Sequence, residues 1–163
     1  GSRTSKGKAL VNLLNLEEGE KVTAMIPIES VEDGGYKDGD SLFITMVTRN
    51  GLIKKSLLHE YRSATRENGI LAIRFASEDD EVVSVALSDN QCDLIMGTFL
   101  GKAIRFPERL VRAVGRVSQG VRGIKLGDGD FVVGMEILSE GSEEDNREKP
   151  TLLAVTEIGR AHV

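Results

Sequence analysis

The sequence is poor in the residues that disulfide frameworks, metal sites and base-stacking surfaces require. Its 163 residues include one cysteine, two histidines and no tryptophan, and aromatic residues make up 4% of the chain. Cys92 cannot form an internal disulfide and has no nearby histidine or second cysteine, so we expect a small residue at a strand start and no metal or cofactor. The scarcity of aromatic side chains disfavours single-stranded nucleic acid, whose binding depends on stacking.

Membrane-spanning and signal segments are also missing. No apolar run approaches the roughly 20 residues that cross a bilayer, and the amino terminus lacks the charged-then-apolar order of a signal peptide. We therefore expect a cytoplasmic protein with no membrane partner. Residues 1–2, Gly-Ser, are predicted to be an expression scar. With 40% hydrophobic and 29% charged residues, the chain is long enough for one domain with a core.

Catalytic constellations are not evident, and we predict no catalytic residue. Nucleophilic catalysis needs a base positioned by a third group, and neither His59 nor His162 has such surroundings in the sequence. The segment 127–129, Gly-Asp-Gly, is followed by no helical pattern, which disfavours a phosphate-binding loop. The pair Asp79 and Asp80 lies in an acidic turn, where solubility is the simpler explanation.

Charge is distributed unevenly along the chain. The formal net charge of −5 disfavours nucleic acid. Between residues 101 and 126, however, seven bases face one acid, Glu108, and seven minus one gives +6. Residues 49–74 carry six bases and two acids, a balance of +4, whereas residues 17–40 and 76–93 are acidic. This alternation predicts that the two signs separate in space, if each repeat presents its basic segment on the same side; ordinary solvated surface is the alternative.

A repeat of about fifty residues underlies the alternation. Residues 46–56 align with 96–106 at an offset of 50, with Gly51 against Gly101, and residues 69–73 align with 120–124 and with 7–11. A further unit begins at residue 151. Two polar segments, 30–40 and 139–149, are expected to be solvated loops.

Each unit contains about four short runs rich in Val, Ile, Leu and Thr, separated by turn residues, which predicts short strands. The pair Asn50 and Gly51 predicts a tight hairpin with positive φ at both residues, and residues 22–26, 82–87 and 132–137 are further expected strands. Residues 107–113 and 57–61 suggest helical turns. We predict an all-β, propeller-like array of about three four-stranded blade units; two stacked β-sandwiches are the alternative.

Basic residues recur at equivalent places in the repeats, as in residues 54–55 against 104–105 and Arg66 against Arg116. A curved row of such residues would bind duplex DNA through its phosphates without reading sequence. The alternative is a propeller scaffold that binds an acidic protein segment through the same rim. The predicted DNA-binding residues are Lys54, Lys55, Arg66, Lys102, Arg105, Arg116 and Arg122.

Four segments, read in order, resemble a known family. Residues 7–26, 48–55, 66–73 and 115–126 are similar to the carboxy-terminal domain of the bacterial DNA gyrase A protein, with the equivalent domain of topoisomerase IV as the near alternative. The resemblance implies a β-pinwheel, six-bladed in the whole domain, that wraps duplex DNA. It also implies partnership with the gyrase A core and the gyrase B protein in ATP-dependent negative supercoiling.

The sequence departs from this family in two respects. The family's basic, glycine-rich box is absent, so the resemblance does not carry the handedness of wrapping to this chain. Neither Tyr36 nor Tyr61 lies in a motif matching the breakage tyrosine, so we expect no turnover from this piece alone. We expect residues 3–157 to form a partial pinwheel and residues 158–163 to be a non-native tail.

Overall fold

The computed structural model describes residues 14–28, 42–64, 69–139 and 152–162. Within these ranges the regular secondary structure consists of short strands and two short 3-10 turns, which confirms the all-β prediction. No helix in the described part of the chain is long and apolar enough to cross a membrane. The strands are β1 (Phe43–Thr48), β2 (Leu52–Leu57), β3 (Val82–Ser88), β4 (Cys92–Thr98), β5 (Ala103–Pro107), β6 (Val121–Arg122), β7 (Val132–Ser139), β8 (Ala154–Val155) and β9 (Ala161–His162).

The two expected helical turns are present as short 3-10 turns that follow β2 and β5. They span Leu58–Tyr61 and Glu108–Leu110, at matching places in the repeat. Cys92 is buried at the first position of β4, as predicted. The expected loop at 30–40, and nearly all of that at 139–149, lie outside the described residues.

Three hairpins share one turn geometry, which is the local signature of the repeat. In the first, the N–H of Gly51 donates to the carbonyl of Thr48 at 3.0 Å, and the corresponding bond from Gly101 to Thr98 has the same length. The third hairpin, β8 and β9, repeats it with a bond from Gly159 to Thr156 at 2.9 Å.

The prediction of positive φ at both turn residues was wrong for Asn50. Gly51 has a φ of +85°, but Asn50 is not among the non-glycine residues with positive φ. A three-residue loop in which only the last residue is left-handed explains this, because a type I turn followed by one left-handed residue needs glycine once.

The two larger sheets exchange a strand between repeat units. The first sheet has the order β3-β1-β2-β6, with β1 antiparallel to both of its neighbours, and the second has the order β5-β4-β7. The outer strand β6 lies between β5 and β7 in the sequence but pairs with β2 of the preceding unit. The first blade therefore has four strands, as expected, but the fourth is not consecutive with the others.

Apolar side chains from both sheets form the core between the blades. Val47 and Ile53 of the first sheet pack with Leu94, Met96 and Val132 of the second blade, all between 0% and 1% exposed. A second cluster lies on the opposite face of β1 and includes residues of the first 3-10 turn and of the segment that precedes β3. Because successive side chains of a strand point to opposite faces, β1 contributes to both clusters and is buried along its whole length.

The expected strand at residues 22–26 was wrong. These residues form no strand, and Met25 is 77% exposed. The corresponding segments β3 and β7 each pair with the central strand of their own blade. Among the described residues no strand lies beside residues 22–26, so their backbone groups have no ladder to join.

We predict that adding one methyl group at Gly120 destabilises the pairing of β6 with β2. A Cβ at this position would lie 2.9 Å from the carbonyl oxygen of Ile53 and 3.2 Å from Cβ of Leu52, and backbone cannot easily give way. Gly120→Ala should lower the free energy of unfolding by about 1–3 kcal/mol, as overpacking does, measured by urea denaturation.

The matched control is Gly134→Ala in β7, where nothing lies within 4 Å of the added Cβ. This change should leave the free energy of unfolding unchanged or raise it, because alanine restricts the unfolded chain. Equal losses in both variants would contradict the close approach of β6 to β2.

Candidate nucleic-acid interface

The second repeat unit is rich in exposed cations along residues 102–125. Its six exposed cationic side chains come from β5, the second 3-10 turn, β6 and the loops between them. The seventh, Arg116, is partly buried. The exposed members are Lys102, Arg105, Arg109, Arg112, Arg122 and Lys125.

The only acid of this segment is removed from the surface. Glu108 is 0% exposed, and its carboxylate accepts hydrogen bonds from the hydroxyl of Ser88 at 2.8 Å and the N–H of Asn90 at 2.9 Å. Lys55 from the first blade places its Nζ 3.3 Å from Oε1 of Glu108. The segment that carries +6 in the sequence therefore exposes cations and no carboxylate of its own.

Lys55 is an internal ion-pair partner rather than a surface cation. Its side chain is 3% exposed, and its Nζ also donates to Oδ1 of Asn90 at 2.7 Å and to the carbonyl of Glu108 at 3.2 Å. Removing one partner of such a pair would leave a buried charge uncompensated. The prediction that Lys55 contacts phosphate is therefore wrong for this fold, because its ammonium group is enclosed between the blades.

The prediction that Lys54 contacts phosphate is also wrong, because its ammonium group is buried. It is 1% exposed, and its Nζ donates to the carbonyl oxygens of Ala72 at 2.7 Å and Arg116 at 2.5 Å and to the hydroxyl of Tyr61 at 3.3 Å. Desolvation by burial lowers the pKa of Lys54 from 10.5 to about 8, against the opposing effect of Glu60. Lys54 thus joins the end of the first unit to the second.

Arg116 lies at the same junction, with its backbone fixed from both sides. Its N–H donates to Oε2 of Glu60 at 2.7 Å, and its carbonyl accepts from Lys54. Its guanidinium also donates to the carbonyl of Leu71. The side chain is held beside the exposed segment but keeps part of its surface accessible.

The remaining predicted contacts lie on outer strands or at their ends. Arg122 is on β6, the outer strand of the first sheet, opposite Leu52. Lys102 precedes β5, and Arg105 lies on it, the outer strand of the second sheet. Arg105 already pairs with Asp93, with Nε 2.7 Å from Oδ2. Arg66 lies outside the described residues.

Three exposed cations were missing from the predicted set. Arg109, Arg112 and Lys125 lie on the same segment, and the predicted set omitted them although Arg112 recurs as Arg62 at an offset of 50. The local count of seven bases would have found them, whereas the burial of Lys54 and Lys55 has no signal in the charge pattern.

Acidic turns before β3 and β7 have a structural role that the sequence analysis underestimated. Oδ1 of Asp80 accepts from the N–H of Asn50 at 2.9 Å, and Oδ1 of Asp130 accepts equally from Leu100. Desolvation would raise the pKa of Asp130, but hydrogen bonds from Leu100, Thr98 and Phe131 lower it overall. These carboxylates fasten each hairpin tip to its own blade.

Cations of the first unit make more contacts within the protein than those of the second. The guanidinium of Arg49 lies 3.7 Å from the ring centre of Phe131, which stacks on Phe99, and it also lies 3.8 Å from Glu81. A cation over an aromatic face is held electrostatically by the ring. Of the basic segment 49–74, the described exposed cations are Arg62 and Arg74.

One cluster in the described chain has the residue types of a metal site. Asp89, Cys92 and Glu108 each offer a ligand atom, and these atoms lie within 4.8 Å of one another. Desolvation by burial and the hydrogen bond to Glu108 raise the pKa of Cys92 to about 12, which disfavours the thiolate that a metal requires. The ammonium of Lys55 already supplies the positive charge beside Glu108.

Comparison with known proteins gives one consistent result. A family model described as the DNA gyrase C-terminal domain, a beta-propeller, matches residues 1–29, 43–89 and 93–139. The DNA gyrase A protein of Haloquadratum walsbyi is 38% identical over 158 residues. This alignment covers 97% of the chain but 17% of the relative, so the chain corresponds to a small part of the curated proteins it matches.

Solved structures agree. The C-terminal domain of a DNA topoisomerase IV is similar with a TM-score of 0.70 and 30% identity, covering 82% of this chain and 39% of that one. A DNA gyrase A C-terminal domain is similar with a TM-score of 0.65 and 25% identity, covering 82% and 41%.

We predict that the contribution of Lys54 to stability depends on pH in a defined direction. The unfolded chain keeps the proton of Lys54 up to about pH 10.5, whereas the folded chain releases it near pH 8. Between these values the unfolded state binds more protons, so raising the pH favours the folded state. The Tm of the native chain should therefore rise relative to the Tm of Lys54→Met from pH 8 to pH 10.

The comparison cancels the titration of Cys92, which both chains share. Tm is measured by circular dichroism in matched buffers. If the Tm of the native chain stays constant or falls relative to that of Lys54→Met over this range, the enclosure of the ammonium group is contradicted.

Proposed function

The chain belongs to the family of DNA gyrase C-terminal domains, and from this premise we propose that it binds duplex DNA through its phosphates and bends or wraps it. The observation that carries the proposal is the surface of residues 102–125, which exposes six cations while its only acid is buried against Lys55. Such a surface supplies affinity without sequence readout, because phosphates carry no base information.

Counterion release explains how an acidic protein can bind DNA. Each cation that neutralises a phosphate frees a condensed counterion, so the local density of positive charge matters more than the net charge of −5. The negative groups of the acidic turns are fastened to the hairpin tips, as the bonds of Asp80 and Asp130 show.

The exchange of β6 would keep the cations in a fixed arrangement. Arg122 belongs to the second unit but lies on the outer strand of the first sheet. Arg116 is fixed at its backbone by Lys54 and Glu60. A row of cations on rigid elements loses less entropy on binding than one on loose loops, and its curvature would impose a bend on the duplex.

The proposed contacts combine part of the predicted set with the exposed residues it missed. Lys54 and Lys55 are removed from the set because they are buried, and they bond instead to the backbone of the basic segment. Arg66 remains a proposed contact by its equivalence to Arg116. The described contacts are Lys102, Arg105, Arg109, Arg112, Arg116, Arg122 and Lys125.

In its parent enzyme the segment would act with other parts. We propose that it serves a gyrase as an accessory DNA-binding domain in the cytoplasm, beside the gyrase A core and the gyrase B protein, in ATP-dependent negative supercoiling. We assign it no catalytic residue, and breakage of DNA and hydrolysis of ATP would belong to the other parts. A scaffold for an acidic protein segment would use the same cations, but the family favours DNA.

We predict that the salt dependence of DNA binding reports these contacts one by one. The logarithm of the affinity for any duplex should fall steeply and linearly with the logarithm of the salt concentration. Arg122→Ala should weaken binding to all duplexes similarly and reduce the slope by about one. Fluorescence anisotropy with two unrelated duplex sequences measures both quantities.

Arg122→Lys is the matched control, because it keeps a cation at the same place on β6. Its slope should equal that of the native chain. The proposal fails if binding is insensitive to salt, or if one duplex sequence is strongly preferred.

We also predict that longer duplexes bind more tightly than the number of sites alone explains. A curved surface engages more phosphates when the duplex extends past the first contacts and can bend onto them. Gel shifts at low salt with duplexes of two and of several helical turns, repeated with Lys102→Glu, Arg105→Glu and Arg122→Glu together, test this. A gain with length that survives the triple change would locate binding elsewhere.

A further inference from the structure

One buried ammonium group joins three segments of the two repeat units. Nζ of Lys54, on β2, donates to the carbonyl of Ala72 at 2.7 Å and to that of Arg116 at 2.5 Å. Its third contact is the hydroxyl of Tyr61, at 3.3 Å, in the 3-10 turn after β2. Lys54 is 1% exposed, whereas Arg116 keeps part of its surface accessible. The buried cation therefore lies directly behind a cation that can reach a ligand.

Arg116 is held at three points, and Lys54 acts on two of them. The N–H of Arg116 donates to Oε2 of Glu60 at 2.7 Å, and its carbonyl accepts from Lys54. Its guanidinium donates to the carbonyl of Leu71, the residue before Ala72, whose own carbonyl also accepts from Lys54. One ammonium group thus binds both the backbone of Arg116 and the segment that its guanidinium contacts.

Backbone bonds on either side keep the same segments together. The N–H of Val114 donates to the carbonyl of Lys55 at 2.8 Å, and the N–H of Arg74 donates to the carbonyl of Ser118 at 3.4 Å. Neither bond involves the side chain of Lys54. Loss of its ammonium group would therefore leave the segments joined and release Arg116 locally.

A guanidinium held in this way is suited to bind phosphate. Among the described residues, Leu71 accepts from one of the five N–H donors of Arg116, and arginine binds phosphate through two parallel N–H groups. A long side chain that is already ordered loses less freedom when it binds. The contacts of Lys54 supply this order from inside the protein.

Two charged groups set the proton affinity of the buried ammonium group. Burial lowers the pKa of Lys54 to about 8, Glu60 opposes this decrease, and the positive charge of Arg116 adds to it. Lys55, the next residue on β2, points to the opposite face and pairs with Glu108. The exposed cation and the buried one therefore repel each other across the carbonyl that they share.

A phosphate bound to Arg116 would change this balance. Its negative charge would offset the repulsion that disfavours the proton on Lys54. Tyr61, the other titratable group in contact with Lys54, stays neutral because burial raises its pKa. By linkage, a ligand that raises the pKa of a group binds more tightly when that group is protonated.

We propose, on the basis of the DNA binding proposed above, that Lys54 is a positioning residue for the contact of Arg116 with phosphate, and that duplex DNA binds more tightly when Lys54 is protonated. The ammonium form makes charge-assisted bonds to the carbonyls of Ala72 and Arg116, which are stronger than those of a neutral amine. Loss of the proton loosens Arg116 and removes a positive charge behind it. The affinity for DNA therefore falls as the pH rises through the range in which Lys54 loses its proton.

Titration calorimetry of the full 163-residue chain with a duplex tests this linkage. Just above the pKa of Lys54, about 8, binding should take up a fraction of a proton, measured in two buffers of different ionisation enthalpy. Between about pH 7.5 and 9.5 the affinity should fall about three- to ten-fold. This factor corresponds to a rise of about half to one unit in the pKa of Lys54 on binding.

Arg116→Ala is the matched control, because it removes the contact through which Lys54 acts and leaves the side chain of Lys54 in place. The amino terminus titrates in the same range, but both chains share it. The proton uptake and the fall in affinity should therefore disappear in Arg116→Ala, apart from what the amino terminus contributes equally to both chains.

A double-mutant cycle with Lys54→Met tests the positioning role. Near pH 7.5, Lys54→Met should weaken DNA binding several-fold in the native chain and have little effect when Arg116→Ala is also present, because residues that act through one another are not additive. Circular dichroism shows whether each variant is folded. If Lys54→Met does not fold, the calorimetric comparison of the native chain with Arg116→Ala decides the question.

The outcomes separate this proposal from the proposed function. Salt-dependent DNA binding with the same pH profile in the native chain and in Arg116→Ala would overturn the role of Lys54 and leave DNA binding standing. A chain that binds no duplex in the salt titration would overturn both.

Discussion

The pairing of β6 with β2 is the constraint on which the rest of the structure depends. Two short strands from different repeat units meet closely enough that Gly51 and Gly120 have no room for a side chain. The same pairing places Arg122 on the outer strand of the first blade. The segment that precedes β6 encloses Lys54 and Lys55 through Arg116 and Glu108. One backbone contact therefore determines both the core between the blades and the position of the cations around it.

Buried polar groups extend this contact into a network. The ion pair between Lys55 and Glu108 joins two units, and the carboxylate is further bonded by Ser88, Asn90 and Cys92. Buried charges of this kind contribute more to a unique arrangement than to stability, because desolvation offsets much of their attraction. The same network removes the only carboxylate from the basic segment, which links the interior of the fold to the charge of its surface.

The two repeat units share one hairpin geometry but differ in the exposure of the strand that follows it. Each unit places a glycine-terminated hairpin against an acidic turn, as the bonds of Asn50 to Asp80 and of Leu100 to Asp130 show. At the outer strand the units diverge, since Lys54 and Lys55 are enclosed whereas Ile104 and Arg105 are exposed. The difference arises because β2 has a partner strand and β5 has none among the described residues.

The sequence by itself determined the repeat, the strands around Gly51 and Gly101, the short turns after β2 and β5, and the family, because these depend on local periodicity and on glycine at fixed spacing. Only the tertiary structure decided which lysines face solvent. Lys54 and Lys55 lie in a basic run like those that remain exposed, but they are enclosed by residues 108–116 of the next unit, which bond to both of them. Charge counts record composition along the chain, whereas exposure depends on which distant segments pair, and the pairing of β2 with β6 is not local.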